Sequence, residues 1–249
     1  MRDTVVLPLA GAGSRLGLPI AKELVPVGPG RVALDHTLDL LAPHAGRLRV
    51  AAVLGDGREA TARHLVARCE HLGLPLAVCH QHPDRAESTG AVSSTSGWWS
   101  PATAVLLPDQ ILTHPDPAAI GALLDAIRVG HPAAFLTADE SDPARLAVDG
   151  ALRLEPDPAG GRKVADFADK PGPQATGARG FNAVWFGYAF AVAAGDAVLD
   201  VLHRATLGED LARTDLGPLL GAPAIDAGPF TDIGTWPAVA ATIAGAGVR

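Results

Sequence analysis

The 249-residue sequence predicts an α/β protein built on a mixed, mainly parallel sheet flanked by helices. Three observations carry that expectation. Short β-branched apolar runs alternate with helix-spaced apolar stripes through residues 1–140. Two of these runs end in chemistry-bearing loops, one glycine-rich and one carrying an aspartate. Sheets of this kind bind ligands outside the carboxyl ends of their strands. Beyond residue 140 the runs shorten and are separated by Gly and Pro, which reads as hairpins inserted into the same sheet.

Thr4–Leu9 is the first buried strand and stops at a glycine turn. Leu34, Leu38 and Leu41 recur as one helix face. Leu48–Leu54 is a second strand. A helix then carries Leu65, Val66, Cys69 and Leu72 on one stripe, with Glu59 near its start. Leu74–Cys79 is a third strand, interrupted at its start by Pro75, and Ala104–Leu107 a fourth, stopped by Pro108. Ile120, Leu123, Leu124 and Ile127 predict a helix, and Ala133–Thr137 a strand. Ala151–Leu154, Lys163–Ala168 and Ala183–Tyr188 are the short runs of the inserted region. Helices are expected at 192–204 and 209–220, a strand at Ala222–Ile225, and a last helix from about 236.

Apolar residues make up 48% of the chain and charged residues 19%, which supports a sizeable core and excludes a disordered or fibrous protein. Twenty basic against 27 acidic residues leave a net charge of −7, which argues against sequence-independent nucleic-acid binding. Any basic patch is therefore local, such as a phosphate pocket. Two cysteines, Cys69 and Cys79, build no disulfide framework, so a reducing, cytoplasmic location is expected. The apolar run behind Met1-Arg2-Asp3 is too short and wrongly flanked for a signal peptide. No stretch approaches the roughly 18 apolar residues of a membrane span.

The first loop reads Ala10-Gly11-Ala12-Gly13-Ser14-Arg15-Leu16-Gly17. Glycine lets backbone N–H groups approach an anion. The P-loop ending Gly-Lys-Ser/Thr is missing. So are the third glycine of a dinucleotide fingerprint, where Leu16 stands, and its ribose-binding acid. An oxidoreductase reading therefore loses its support. Ser14 is not in a G-x-S-x-G elbow, and the nine histidines show no paired metal spacing. His36, His44 and His64 read as solvated, and Trp98-Trp99 as a structural anchor.

The longer stretch GAGSRLGLPIAKELVPV resembles the signature of nucleotidyltransferases that activate sugar 1-phosphates and related small phosphates, G-x-G-[ST]-R-[LM]…P-K-x-L-x-P-V. The resemblance implies a Rossmann-like fold of the nucleotide-diphospho-sugar transferase type. It gives Arg15 and Lys22 catalytic roles, with Arg15 and the loop residues Ala10, Gly11, Ala12, Gly13 and Ser14 holding a nucleoside triphosphate. Lys22 would neutralise charge at the attacked α-phosphate. The short Arg-to-Lys spacing is nearest the compact cytidylyl- and uridylyltransferases.

Further segments follow in family order. Gln81 and Thr89-Gly90-Ala91 match residues that read a pyrimidine base. Asp109, after Leu107-Pro108, and Asp232, in Phe230-Thr231-Asp232-Ile233-Gly234-Thr235-Trp236, match the two Mg²⁺-binding acids. Lys170 and Asp169, in Val164-Ala165-Asp166-Phe167-Ala168-Asp169-Lys170-Pro171, and Asn182 in Phe181-Asn182-Ala183, match acceptor contacts. Departures concentrate in the acceptor region: Asp169 replaces Glu, Val184 replaces Gly, and Leu146-Ala147 replace Tyr-Gly.

The resemblance thus implies one domain over 1–249, with 1–140 serving the nucleotide and 141–235 the acceptor. The implied enzyme moves a nucleoside monophosphate from CTP, UTP or dTTP to a small phosphorylated acceptor, with Mg²⁺, and releases pyrophosphate. A sugar 1-phosphate and a small phosphonate (such as phosphonoformate) or amino-alcohol phosphate stand nearly level as acceptor. Arg85, Arg145 and Arg162 are further candidate anion contacts. A non-catalytic nucleotide-binding regulator of the same fold is the alternative. No nucleic-acid or membrane partner is expected, and homo-oligomerisation stays open.

Overall fold

The computed structural model describes residues 2–11, 21–85 and 87–246, with side chains in the last helix described to 244. In chain order the elements are β1 (Asp3–Leu9), β2 (Pro26–Gly28), β3 (Arg31–Val32), α1 (Ala33–Leu41), β4 (Leu48–Leu54), α2 (Glu59–Leu72), β5 (Leu76–His80), α3 (Glu87–Ser93), β6 (Ala102–Leu106) and β7 (Gln110–Leu112). There follow α4 (Ala118–Arg128), β8 (Ala133–Asp139), α5 (Pro143–Leu146), β9 (Gly150–Pro156), β10 (Arg162–Asp169), α6 (Gly172–Arg179), β11 (Ala183–Ala191), α7 (Gly195–Thr206), β12 (Pro223–Asp226), β13 (Phe230–Asp232) and α8 (Trp236–Ala246).

The chain divides into two compact units. The first comprises Met1–Trp98, Val105–Pro117 and Pro229–Arg249, and the second Trp99–Ala104 and Ala118–Gly228. The second unit thus begins its long segment at Ala118, before the expected change at residue 140, because α4 and β8 fold with the strands that follow them.

In the first unit, β1, β4 and β5 pair in parallel, with Leu7 opposite Ala52 and Ala52 opposite Val78. Val5, Val6, Leu7, Ala52 and Val53 are fully buried, as expected of strands covered on both faces. Helix α1 begins where the Asp35 carboxylate accepts the Val32 N–H at 2.9 Å, and α2 ends on Gly73 in the left-handed conformation (φ 67°). Burial on α2 pushes the Cys69 thiol up to about 11, which leaves it protonated and inert at neutral pH.

In the second unit, β8 pairs in parallel with β12, while β8 with β11, β11 with β9, β9 with β10, and β10 with β12 pair antiparallel. Its core is aromatic. Phe135 lies 6.0 Å from Trp185 and 6.3 Å from Phe167, and Trp99 meets Phe190 edge-on at 4.8 Å. Trp99 is thus the structural anchor the sequence implied.

The helix expected at 209–220 does not form. The segment is a series of turns bounded by Gly208 and Gly221, both with φ near 79°. Gly217-Pro218 interrupts any helix there, and Asp215 captures the Ala212 N–H with its side chain at 3.0 Å. His44 and His64 also differ from the expectation of solvated side chains. His44 bonds the Pro117 carbonyl at 2.7 Å and His64 the Asp35 carboxylate at 2.8 Å.

One ion pair secures the end of β10. Arg179, at the close of α6, donates to both oxygens of Asp166 at 2.9 and 2.6 Å and to the Phe167 carbonyl at 2.9 Å. Burial alone would raise the Asp166 carboxyl, but Arg179 outweighs it and holds the group below its ordinary value. The stabilisation is therefore complete above the ordinary carboxylate range, near pH 4. It fades as pH falls through Asp166's own lowered value. Arg179→Met is expected to cost about 1–2 kcal/mol at pH 7, with the gap to wild type closing below about pH 4. Urea unfolding at the two pH values checks this; a gap that does not depend on pH would contradict the pair's role.

Candidate active site

Three short pieces of the first unit meet around one apolar cluster. Val25, Val27, Ala33, Ile111, Ile233 and Val239 are buried together. Each chemistry-bearing residue sits one to three positions along the chain from a member of this cluster. Lys22 opens a single 3-10 turn, Lys22–Leu24, that leads into Val25. Asp109 closes the turn after β6, whose last bond runs from the Gln110 N–H to the Leu107 carbonyl at 3.2 Å, and precedes Ile111. Asp232 immediately precedes Ile233.

The two aspartates are brought together by a ribbon that the sequence reading did not foresee. β7 and β13 pair antiparallel with Asp232 opposite Gln110 and Thr231 opposite Ile111. One bond beyond the ladder, the Ile233 N–H donates to the Asp109 carbonyl at 3.0 Å. Residues more than 120 positions apart thus become neighbours. The strands are three residues each, too short for periodicity to announce.

The Lys22 ammonium pairs with the Asp109 carboxylate, with the two side chains 25% and 13% exposed. Asp232 turns one carboxylate oxygen onto the Gly234 N–H at 2.7 Å, shaping the Asp-Ile-Gly turn. Asp109 and Asp232 are neighbours through their backbones, and between them they carry only carboxylate oxygens as donors. That set suits Mg²⁺, which takes one or two carboxylates and completes its octahedron with phosphate oxygens and water. Among the described residues, no group of three or more His, Cys, Asp and Glu side chains gathers as an all-protein metal cage, and a site of this kind needs none.

Of the glycine loop, Ala10 and Gly11 are described, while Ala12, Gly13, Ser14 and Arg15 lie outside the described residues. Ala10 packs against Gly55 at the end of β4, where an added Cβ would stand 3.0 Å from the Ala10 carbonyl oxygen.

Gln81 follows β5, and Thr89 and Gly90 lie in α3. The Gln81 amide donates to the carbonyls of Arg85 and Glu87 at 2.5 and 3.1 Å, so it shapes this loop from within. Gly90 packs tightly on the same loop, because a Cβ there would lie 2.5 Å from the Arg85 carbonyl oxygen. Thr89 is 5% exposed. Gly90→Ala is expected to cost about 1–3 kcal/mol by forcing that backbone aside. An unchanged urea midpoint would contradict this close approach.

The second unit holds the three residues matched to an acceptor. Lys170 adopts φ 47°, a left-handed conformation costly for a residue that carries a Cβ. The turn is pinned by the Lys170 N–H on the Asp149 carbonyl at 3.1 Å and the Gly172 N–H on the Ala147 carbonyl at 3.0 Å. Its ammonium is mostly exposed, 3.4 Å from Asp169. Such strain clusters at functional sites. Asn182 is occupied otherwise: its amide accepts from the Leu154 N–H at 2.8 Å and donates to the Leu154 carbonyl at 3.1 Å. Asn182 nonetheless borders a cavity of about 400 Å³ with Asp139, Glu140, Ser141 and Arg162. Arg162 pairs with Asp139, and Arg145 lies 3.2 Å from Glu140 and 3.1 Å from Asp149.

No protein-family profile matches the chain. In sequence it is 30% identical over 152 residues to a 2-C-methyl-D-erythritol 4-phosphate cytidylyltransferase of Stenotrophomonas maltophilia strain K279a, and 29% over 151 residues to that of strain R551-3. Each alignment covers 58% of this chain and 61% of the relative, so the chain matches about three fifths of these relatives' length. Among solved structures, a UDP-glucose pyrophosphorylase complexed with UDP-glucose superposes with a TM-score of 0.75 at 16% identity, over 100% of this chain and 98% of the other. The fold is that of the nucleotidyltransferases. A putative glucose-1-phosphate thymidylyltransferase from Bacillus anthracis gives 0.70 at 18% identity, covering 99% and 95% of the two chains. A UTP-bound UGPase from Acinetobacter baumannii gives 0.72 at 18%, covering 100% and 94%. At these identities the likeness establishes the nucleotidyltransferase fold alone, and the resemblance drawn from the sequence holds. No helix among the described residues is long and apolar enough to cross a membrane.

Proposed function

We propose that the protein transfers a nucleoside monophosphate from a pyrimidine nucleoside triphosphate, CTP foremost, to a small phosphorylated acceptor and releases pyrophosphate. The observation that carries this reading is the Lys22–Asp109 pair standing beside the backbone of Asp232. One ammonium and two carboxylates are the charges such a transfer needs: a cation for the α-phosphate and oxygens for a divalent metal. The preference for CTP follows the cytidylyltransferase relatives.

In this reading the glycine loop and Arg15 hold the triphosphate, and Gln81, Thr89 and Gly90 form the base-binding segment. Lys22 stabilises the charge that builds on the α-phosphate. Asp109 and Asp232 would hold Mg²⁺, which when bound neutralises phosphate charge. The acceptor's phosphate oxygen attacks, so the chain need supply no covalent nucleophile, and rate comes from positioning and electrostatics. Lys170 and Asp169 receive the acceptor. The commitment of Asn182 to Leu154, with Leu146-Ala147 in the preceding segment, favours a small open-chain phosphate or phosphonate over a hexose 1-phosphate. The expected location is the cytoplasm, where nucleoside triphosphates are abundant.

The test is pyrophosphate release with Mg²⁺ across CTP, UTP, dTTP, ATP and GTP. The acceptors would be several hexose 1-phosphates, polyol phosphates, phosphocholine and small phosphonates. Release with CTP and an open-chain acceptor is expected. Release with UTP or dTTP and a hexose 1-phosphate would replace the acceptor assignment. Nucleotide binding with no turnover on any acceptor would move the protein to the regulatory class.

A further inference from the structure

The ladder of the second unit lays Trp185, Gly150 and Asp169 in one row. Val184 pairs with Ala151, so the next residue, Trp185, falls beside Gly150, and Gly150 pairs with Asp169. Side chains directly opposite one another share a face of the sheet, so Trp185 and Asp169 share one with only a glycine between them. That glycine admits the indole. A Cβ on Gly150 would stand 2.2 Å from Trp185 Nε1 and 2.6 Å from its Cε2. The ring therefore fills the place of the missing side chain, between its own strand and that of Asp169. Phe135, Phe167 and Tyr188 pack around it, with ring centroids 6.0, 6.1 and 5.8 Å away. Those three are buried, whereas Trp185 keeps access to solvent. Its Nε1 has no hydrogen-bond partner among the described residues, so packing over the glycine sets the ring in place.

Asp169 is enclosed, its side chain 14% exposed. The one cation it meets among the described residues is Lys170, 66% exposed and 3.4 Å away. A carboxylate so far out of water is poorly matched by one long contact to a solvated ammonium.

We propose that this row selects an acceptor carrying a positive charge: a small zwitterion with an alkylammonium group at one end and a phosphate or phosphonate at the other. This inference rests on the transfer proposed above and narrows its acceptor. The ammonium is received by the Trp185 ring and the Asp169 carboxylate, and Lys170 turns to the phosphoryl oxygens. An aromatic face and a carboxylate both attract a cation. The zwitterion exchanges one long ion pair for two charged contacts. A sugar fits less well, because its hydroxyls need several polar partners. The Asn182 amide is spent on Leu154, and the Asp149 carboxylate on Arg145.

The experiment measures kcat and KM, with CTP and Mg²⁺, for phosphocholine, phosphoethanolamine and 2-aminoethylphosphonate. Beside them run glucose 1-phosphate and 3,3-dimethylbutyl phosphate, the carbon isostere of phosphocholine that lacks its positive charge. Wild type is expected to favour a cationic acceptor over the isostere by about 10-fold or more in kcat/KM. The three cationic acceptors distinguish a phosphate from a phosphonate source. Trp185→Leu and Asp169→Asn are each expected to raise KM for the preferred acceptor about 10-fold and to shrink its advantage over the isostere. Trp185→Phe keeps a ring and recovers part of the loss. Thermal midpoints are recorded for each variant, and should Trp185→Leu not fold, Trp185→Phe and Asp169→Asn decide. Equal use of the isostere, or an undiminished preference in the folded variants, would overturn the proposal. Pyrophosphate release with glucose 1-phosphate alone would also overturn it and leave the transfer standing. No pyrophosphate with any acceptor, hexose and polyol phosphates included, would overturn the transfer itself, and this inference with it.

Discussion

Lys22→Ala will slow pyrophosphate release by about 10²–10³-fold while leaving the protein folded. The magnitude follows from the role proposed for the ammonium. Phosphoryl transfer asks little covalent chemistry of a protein and much electrostatic stabilisation, so one lost cation at the α-phosphate is felt in turnover. Stability suffers less. The Lys22–Asp109 pair is partly exposed, and breaking it should cost about 1–2 kcal/mol. Lys22→Arg keeps the charge but moves it, and should recover only part of the rate. Steady-state turnover and urea unfolding on the same preparations separate the two effects. Near-wild-type turnover in the alanine variant would remove Lys22 from the chemistry.

Asp109→Asn and Asp232→Asn are each expected to lower turnover by about 10²-fold or more and to raise the Mg²⁺ concentration needed for half-maximal rate. Asparagine preserves shape, which matters at both sites. Asp232 supports its own turn through the Gly234 N–H, a bond an amide oxygen can still accept. Asp109 takes part in the ribbon through its main-chain carbonyl, which the substitution leaves in place. Mn²⁺ binding followed by electron paramagnetic resonance provides a reading independent of turnover. Unaltered Mn²⁺ affinity in both variants would take the two acids out of metal binding.

The parallel strands of the first unit were legible because buried parallel strands are written as continuous apolar runs. Leu48–Leu54 was read to the residue, and Thr4–Leu9 lacked only Asp3. The helix at 209–220 was misread because its apolar spacing outweighed, on paper, the glycines, the proline and the Asp215 side chain that break it. The β7–β13 ribbon was invisible for a different reason: three-residue strands have no period, and their partners lie far apart in sequence. The motif residues Lys22, Asp109 and Asp232 were found through their local signatures. Their meeting depends on that ribbon and on the cluster of Val25, Ile111 and Ile233, which only the fold shows. The enclosed Arg58–Glu23 ion pair was not foreseen, although an acid between Lys22 and a run of apolar residues calls for a nearby cation. Asn182 was proposed from its motif alone, which says nothing of its surroundings, and its amide spans both main-chain groups of Leu154.

The central claim is that the bond broken lies between the α- and β-phosphates of the nucleotide. Incubating the protein and Mg²⁺ with CTP labelled at either the α- or the γ-phosphate, together with the acceptor mixture, tests this directly. The account predicts that the α-label appears in a new nucleotide–acceptor conjugate and the γ-label in pyrophosphate. A γ-label transferred to acceptor, or released as inorganic phosphate without any conjugate, would contradict it.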